Sequence, residues 1–204
     1  DMVASIRHCH FPENDADWTA LSAMQSPARK RLVFEEFFFL HLGMAMRRHA
    51  LRSCRGHAFH PGGECVERFF ASLPFRTTTA QDRVWSEIER DLSKPFPMNR
   101  LLQGDVGSGK TVLAVAAMIS AVRNGFQAAL MAPTEILAEQ HYRTIQERLR
   151  PLDLRVERLT GSATASERQA VYGGLRQGEI SIVVGTHALI QTSTAFERLG
   201  LVVI

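Results

Sequence analysis

The run Arg100-Leu101-Leu102-Gln103-Gly104-Asp105-Val106-Gly107-Ser108-Gly109-Lys110-Thr111 constrains this chain more than any other stretch. A short apolar segment turns through glycines into Lys-Thr and then into a helical run over residues 112–118. Gly104, Gly109, Lys110 and Thr111 fit the G-x-x-x-x-G-K-[ST] phosphate-binding loop, in the strand-loop-helix setting that motif requires. Glycines let the backbone of Gly104, Asp105, Val106, Gly107, Ser108 and Gly109 wrap closely around a phosphate. Successive N–H groups and the helix N-terminus supply the positive end. In such a loop Lys110 reaches the β- and γ-phosphates and the Thr111 hydroxyl ligates Mg2+, so these two are the expected catalytic residues. Asp105 contributes only its backbone, because a carboxylate beside a triphosphate repels it.

From residue 100 onward the spacing predicts strands alternating with helices: a strand at 100–103, a helix from 109 to about 123, a strand at 127–132, a helix at 135–149 and a strand at 156–159. A helix at 166–176, an almost wholly apolar strand at 180–184, a helical turn at 188–191 and a last apolar strand at 201–204 follow. Apolar strands without a polar face argue a parallel sheet covered on both sides, an α/β nucleotide-binding lobe. Ligands of such sheets sit beyond the carboxyl ends of the strands, which places the loops beginning at Gly104, Pro133, Thr160 and Gly185 along one edge.

The 204 residues allow one large domain or one domain with a smaller attachment. Residues 1–72 read as a mainly helical connector and residues 73–204 as the nucleotide-binding part, with Pro74 marking the boundary. Residues 8–12 read as a strand or turn fragment, followed by a polar stretch. Ser26-Pro27 starts one helix over 28–52, about 37 Å long. That helix packs between domains, or alternatively offers Arg29, Lys30 and Arg31 to a nucleic-acid backbone. Thr78 caps a helix through Ala80, Gln81, Val84, Ile88 and Leu92. Cys54, His57, His60 and Cys65 have zinc-ligand chemistry but compressed spacing in a Gly/Pro-bearing loop, and read as a solvated connector. Three cysteines are too few for a disulfide framework, so a reducing compartment is expected. The sequence shows neither a secretory signal nor an apolar run long enough to span a bilayer. A net charge of +3 neither demands nor excludes nucleic acid.

Beyond the loop, the Gln81 amide donates and accepts together, which suits the edge of adenine, and Phe75 offers a stacking surface. Thr134-Glu135, Thr160-Gly161-Ser162 and Gly185-Thr186-His187 share a design: a strand end, a small residue and a hydroxyl. Three in series on the ligand edge predict contacts to successive phosphates of a DNA strand. His187 is either one of those contacts or a helix-cap residue. Hydrolysis also needs a carboxylate for the Mg2+ shell, whose natural place is just past the apolar strand that reaches Ile204.

Several runs together resemble the RecG family of bacterial DNA helicases, in superfamily 2: Leu73-Pro74-Phe75, Thr78-x-x-Gln81, residues 100–111, residues 132–141 and residues 185–191, with Ala28 to Glu36 resembling that family's helical connector. The resemblance implies a RecA-like motor lobe that uses ATP and Mg2+. It puts Gln81 on adenine, Lys110 and Thr111 on phosphate and Mg2+, and Thr134, Gly161 and Thr186 on a tracked strand. It further implies remodelling of branched or forked DNA in recombination and repair, a monomeric cytoplasmic enzyme at the nucleoid, no membrane, and a single-stranded DNA-binding protein as a partner. In that family an Asp-Glu-Gln-His run follows Leu-Val-Val-Ile. The chain is therefore expected to lack the water-activating acid, an N-terminal wedge and a second lobe, and to be nearly inactive by itself. A phosphate-loop kinase or small GTPase is the competing class, but neither a substrate lid nor an Asn-Lys-x-Asp base reader is visible.

Overall fold

The computed structural model describes residues 1–191 and 194–204, which divide into two units, Asp1–Cys54 and Arg55–Ile204. The first unit is wholly helical. Helix α1 (Met2–His10) runs through the stretch expected to be a strand or turn. Asp1 caps it by accepting from the Val3 N–H, and Arg7 places positive charge in its last turn, where the helix dipole favours it. The polar stretch that follows is also helical. In α2 (Asp15–Ser22), Asn14 caps the Asp17 N–H at 2.9 Å and two aspartates occupy the first turn. Helix α3 (Pro27–Ser53) is the long helix expected from the sequence, with proline at its first position, and α1 packs against it. Arg29 donates to the Leu21 carbonyl at 2.7 Å and Arg31 pairs with Glu35 at 3.2 Å, so two of its three leading cations have partners within the unit. Among the described residues, no helix is long and apolar enough to cross a membrane.

The second unit begins ahead of the boundary expected near residue 73, because residues 55–72 take part in its core. Phe59, Val66 and Phe69 are buried, and Gly56 lies so close to Phe96 that a Cβ would stand 2.6 Å from its backbone. Helix α4 (Glu64–Ala71) is followed by α5 (Thr79–Leu92), whose N-terminus is closed by a reciprocal pair. Thr78 Oγ1 accepts from the Gln81 N–H, and Gln81 Oε1 accepts from the Thr78 N–H. Then come α6 (Lys110–Arg123), β1 (Gln127–Met131), α7 (Glu135–Leu149), β2 (Val156–Leu159), α8 (Ala165–Arg176), β3 (Ile182–Gly185) and β4 (Leu199–Val203). A 3-10 turn, His187–Ile190, sits between the last two strands.

All strand pairs are parallel and the order is β2-β3-β1-β4, with Ala129 opposite Val183 and Val202. Alternation sends Ala128, Leu130, Ile182 and Val184 to the face covered by α4, α6 and α7. Ala129, Val183 and Leu159 go to the face covered by Val171 and Leu175 of α8. Residues 100–103, expected as a strand, form none: Leu101 is 88 % exposed and that segment has no ladder partner among the described residues. It is held instead by Arg100, which pairs with Asp91 at 2.6 Å and Glu87 at 2.7 Å on α5. Burial raises the Asp91 pKa, but bonds from Lys94 and Arg100 outweigh it and leave that carboxyl below the usual range.

Candidate nucleotide-binding site

The segment tied down by Arg100 leads straight into the glycine loop. Gly107 and Gly109 both have φ +83, a left-handed conformation that side chains rarely adopt, and they give the loop its two reversals. The Ser108 N–H closes back on the Asp105 carbonyl at 3.2 Å, while Val106 stands fully out in solvent. Gly109 is the N-cap of α6 and offers no side chain, so the first N–H groups of this helix have no side-chain acceptor. Unsatisfied donors at the positive end of a helix make an anion site. Lys110 completes it. Its Nζ donates to the carbonyls of Gly104 at 2.6 Å and Asp105 at 2.7 Å, and no carboxylate pairs with it among the described residues. The ammonium is thus stored on backbone oxygens of the same loop, bonds that a phosphate can replace without separating an ion pair. Thr111 follows, half-buried in the first turn.

Gln81 reaches this loop, but both ends of its amide are bonded. Oε1 accepts from Thr78, and Nε2 donates to the Ser108 carbonyl at 2.8 Å. That nitrogen lies 2.3 Å from where a Cβ on Gly109 would stand, so the glycine and the glutamine fit as a pair. Phe75 instead lines a cleft of about 420 Å³ beside the loop, with Lys110 and Thr111 on one side and Gln140, His141, Thr144 and Arg148 of α7 on the other. Gln140 and His141 end the run 132–141 that resembles the family, while Thr144 and Arg148 carry no motif and follow Gln140 only at helical spacings of four.

The strand-end turns lie side by side because their strands do. The Ala132 N–H donates to the Gly185 carbonyl at 2.8 Å, and the Thr186 N–H donates to the Leu159 carbonyl at 3.3 Å. A Cβ on Gly185 would stand 2.2 Å from that Leu159 oxygen, which is why only glycine serves there. Thr134 caps α7 through the Leu137 N–H at 3.3 Å and is exposed. Thr160 differs from expectation: it is 1 % exposed, with its hydroxyl 3.2 Å from Ser162 Oγ, so it shapes the turn from inside rather than facing a ligand. Glu135 is exposed but turned onto the neighbouring strand-end turn. Its carboxylate accepts from the Ser162 N–H at 2.9 Å, and bonds from the Ser162 hydroxyl and then its N–H hold the Glu135 pKa below the usual range. Thr186 precedes its 3-10 turn without a side-chain cap bond, and His187 is exposed.

The compressed cysteine and histidine set is dispersed into ordinary contacts. Cys54 lies 3.5 Å from the Ala50 carbonyl, the His57 ring lies 4.5 Å from that of Phe126, the backbone N–H of His60 donates to Asn124, and Cys65 packs against the core. Among the described residues, no three metal-ligating side chains stand close enough to share an ion.

The sequence model of the DEAD/DEAH box helicase family matches residues 78–204. Over the whole chain the sequence is 51 % identical to the ATP-dependent DNA helicase RecG of Synechocystis and 39 % identical to that of Aquifex aeolicus. The chain spans only 24 % and 26 % of those two relatives, about a quarter of their length. A solved structure of RecG bound to a three-way DNA junction superposes with a TM-score of 0.81 at 47 % identity, covering 86 % of this chain and 24 % of that one.

Proposed function

The chain belongs to the DEAD/DEAH box helicase family, and from that premise we propose that it forms the nucleotide-binding lobe, with its helical lead-in, of a RecG-type DNA translocase. The reading is of an enzyme that couples ATP hydrolysis to movement along duplex DNA and remodels forks and junctions. The observation that carries it is the loop itself: two left-handed glycines, a helix N-terminus without a side-chain cap and a Lys110 ammonium held on two backbone carbonyls.

ATP supplies a high-energy phosphoryl bond and Mg2+ neutralises the charge on its oxygens. The residues of this chain bind and orient. Backbone N–H groups of 104–109 and the start of α6 would cradle the phosphates, Lys110 Nζ would exchange its two carbonyls for phosphate oxygens, and the Thr111 hydroxyl would hold Mg2+. Gln81 braces the loop through Ser108 and is the residue we assign to adenine, beside Phe75. The turns after β1, β3 and β2 stand in a row at about 4.8 Å per strand. A strand lying across them meets Thr134, Thr186 and Gly161 in that spatial order, with the exposed His187 beside them. Glu135 then acts through the Gly161-Ser162 turn rather than on the phosphates, since two anions repel. A monomeric protein in the bacterial cytoplasm at the nucleoid, with a single-stranded DNA-binding protein as partner, completes the reading. These last points are what the resemblance to the RecG family implies.

The test is phosphate release by the chain in its natural full-length protein, with forked DNA, linear duplex or no DNA. Release stimulated most by the fork supports the reading. Turnover indifferent to DNA would overturn it.

A further inference from the structure

The turn that follows β2 is gripped from both faces of the sheet. Helix α7 covers one face and α8 the other, and each sends a charged side chain to the same segment, residues 160–163. From α8, the Arg168 guanidinium donates to the carbonyls of Gly161 and, at 3.0 Å, of Ala163. From α7, the Glu135 carboxylate accepts from the Ser162 N–H at 2.9 Å, from the Ser162 hydroxyl and from the Gly161 N–H. The fit is close: a Cβ on Gly161 would stand 2.9 Å from Glu135 Oε1. The Ala163 N–H is taken by the Thr160 carbonyl at 3.3 Å.

Two successive N–H groups and a hydroxyl converging on one anion form a nest, the arrangement by which backbone binds phosphate oxygens. Here an acid of the chain itself fills it. The neighbouring turns are different. Thr134 caps α7 with its own hydroxyl, Thr186 has no side-chain cap bond, and no carboxylate accepts from either turn among the described residues. Arg168 already bonds two carbonyls of the 160–163 turn, so the shape of that turn does not depend on Glu135 alone. Arg158 stands near enough for its charge to act on both Glu135 and Glu167, which gives a displaced Glu135 carboxylate a cation to move toward.

We propose that Glu135 is a built-in stand-in for a DNA phosphate: its carboxylate holds the Gly161-Ser162 nest closed, and a strand engages this turn only by displacing it. The inference rests on reading the strand-end turns as a track for DNA. Arg168 is then the positioning residue that keeps the turn in shape whether acid or phosphate occupies it, while Glu135 sets how readily the turn binds. The turn after β2 is the last of the three to engage, because a contact within the chain must break there first. Stability and strand affinity are therefore opposed at Glu135, where an ordinary structural residue would serve both.

The test uses the natural full-length protein and two readouts: the thermal midpoint, and the concentration of linear duplex that half-maximally stimulates phosphate release. Glu135→Ala should lower the midpoint, since the turn loses its acceptor. It should also lower the half-maximal duplex concentration by several-fold to about tenfold, the scale of one charge-assisted contact to a phosphate. Arg168→Ala should lower the midpoint and raise that concentration. The gain must depend on the nest, so adding Ser162→Ala to Glu135→Ala should abolish most of it. A gain that survives is long-range relief of repulsion and overturns the proposal, as does an unchanged or higher duplex requirement in Glu135→Ala. Glu135→Gln keeps the shape without the charge and should shift in the same direction. It decides the matter if the alanine variant does not fold, as judged by circular dichroism. Thr186→Val tests the underlying reading: if it leaves the duplex requirement unchanged, the track itself is wrong and the stand-in falls with it. If it raises the requirement while Glu135→Ala does not lower it, the track holds and the stand-in is refuted.

Discussion

Replacing Gln127 with leucine tests how the sheet behind the site is held. Gln127 opens β1 at 4 % exposure. Its Nε2 donates to the carbonyls of Leu175 at 3.0 Å and Ile180 at 2.8 Å, and its Oε1 accepts from the Arg198 N–H at 3.1 Å. One amide thereby pins the end of α8, the approach to β3 and the approach to β4 onto β1. Leucine nearly keeps the shape and removes all three bonds. The Leu175 carbonyl still accepts from the Glu197 N–H at 3.1 Å, and the Arg198 N–H lies near enough to the surface to recruit water. The group left without recourse is the Ile180 carbonyl, in a residue at 0 % exposure. An orphaned buried polar group costs about 1–3 kcal/mol, and the weaker replacement at Arg198 adds to it, while extra apolar burial offsets roughly 1 kcal/mol. The expected net loss is about 2 kcal/mol. With a urea dependence of about 2 kcal/mol per molar, the unfolding midpoint should fall by about 1 M. A midpoint within about 0.2 M of the wild-type value would refute this account of the clasp.

Two further outcomes follow from the site. Gly107 and Gly109 share φ +83, but only at Gly109 would a Cβ meet the Gln81 amide. Both alanine variants carry the left-handed strain of about 1–2 kcal/mol, yet Gly109→Ala should also displace Gln81 from Ser108 and weaken ATP binding several-fold more than Gly107→Ala; equal losses would mean that the Gln81 brace is idle. Glu135 has a folded pKa depressed by the Ser162 hydroxyl and N–H. Its contribution is therefore present above the unfolded value of about 4.3 and disappears as pH falls through the lower folded value. Glu167 is depressed in the same direction by the Thr164 N–H and hydroxyl, so Glu135→Gln should remove only part of the acid dependence of the thermal midpoint. An unaltered acid limb in that variant would remove Glu135 from the explanation.

The parts of the fold legible in the sequence are those in which burial writes a period. Ile182, Val183 and Val184 are buried on both faces of an interior strand, and a continuous apolar run is what that environment demands. Helix α1 left no such trace, since it buries none of its residues. Its helicity rests on the Asp1 cap, Arg7 in its last turn and packing on α3. Residues 100–103 look like a strand because Leu101 and Leu102 are apolar, but a strand needs a neighbour as well as composition, and the ion pairs of Arg100 position this segment instead. At the site, the loop was legible because its glycines and lysine answer to one ligand chemistry. The turns were legible only as a pattern, which did not reveal that Thr160 is buried or that Glu135 grips Ser162. The α7 face was hidden for a different reason. Periodicity picks out the stripe of Ala138, Ile145 and Leu149 that meets the core, and Arg148 beside it passes for a cation placed to suit the helix C-terminus.

The central claim is that this loop binds the phosphates of ATP through Lys110. Equilibrium titration of fluorescent Mg-ATP onto the chain and onto Lys110→Ala measures it directly. The account predicts binding that weakens by about tenfold to a hundredfold in the variant, the range for losing hydrogen bonds from a charged donor. Equal affinity in the two proteins would contradict it.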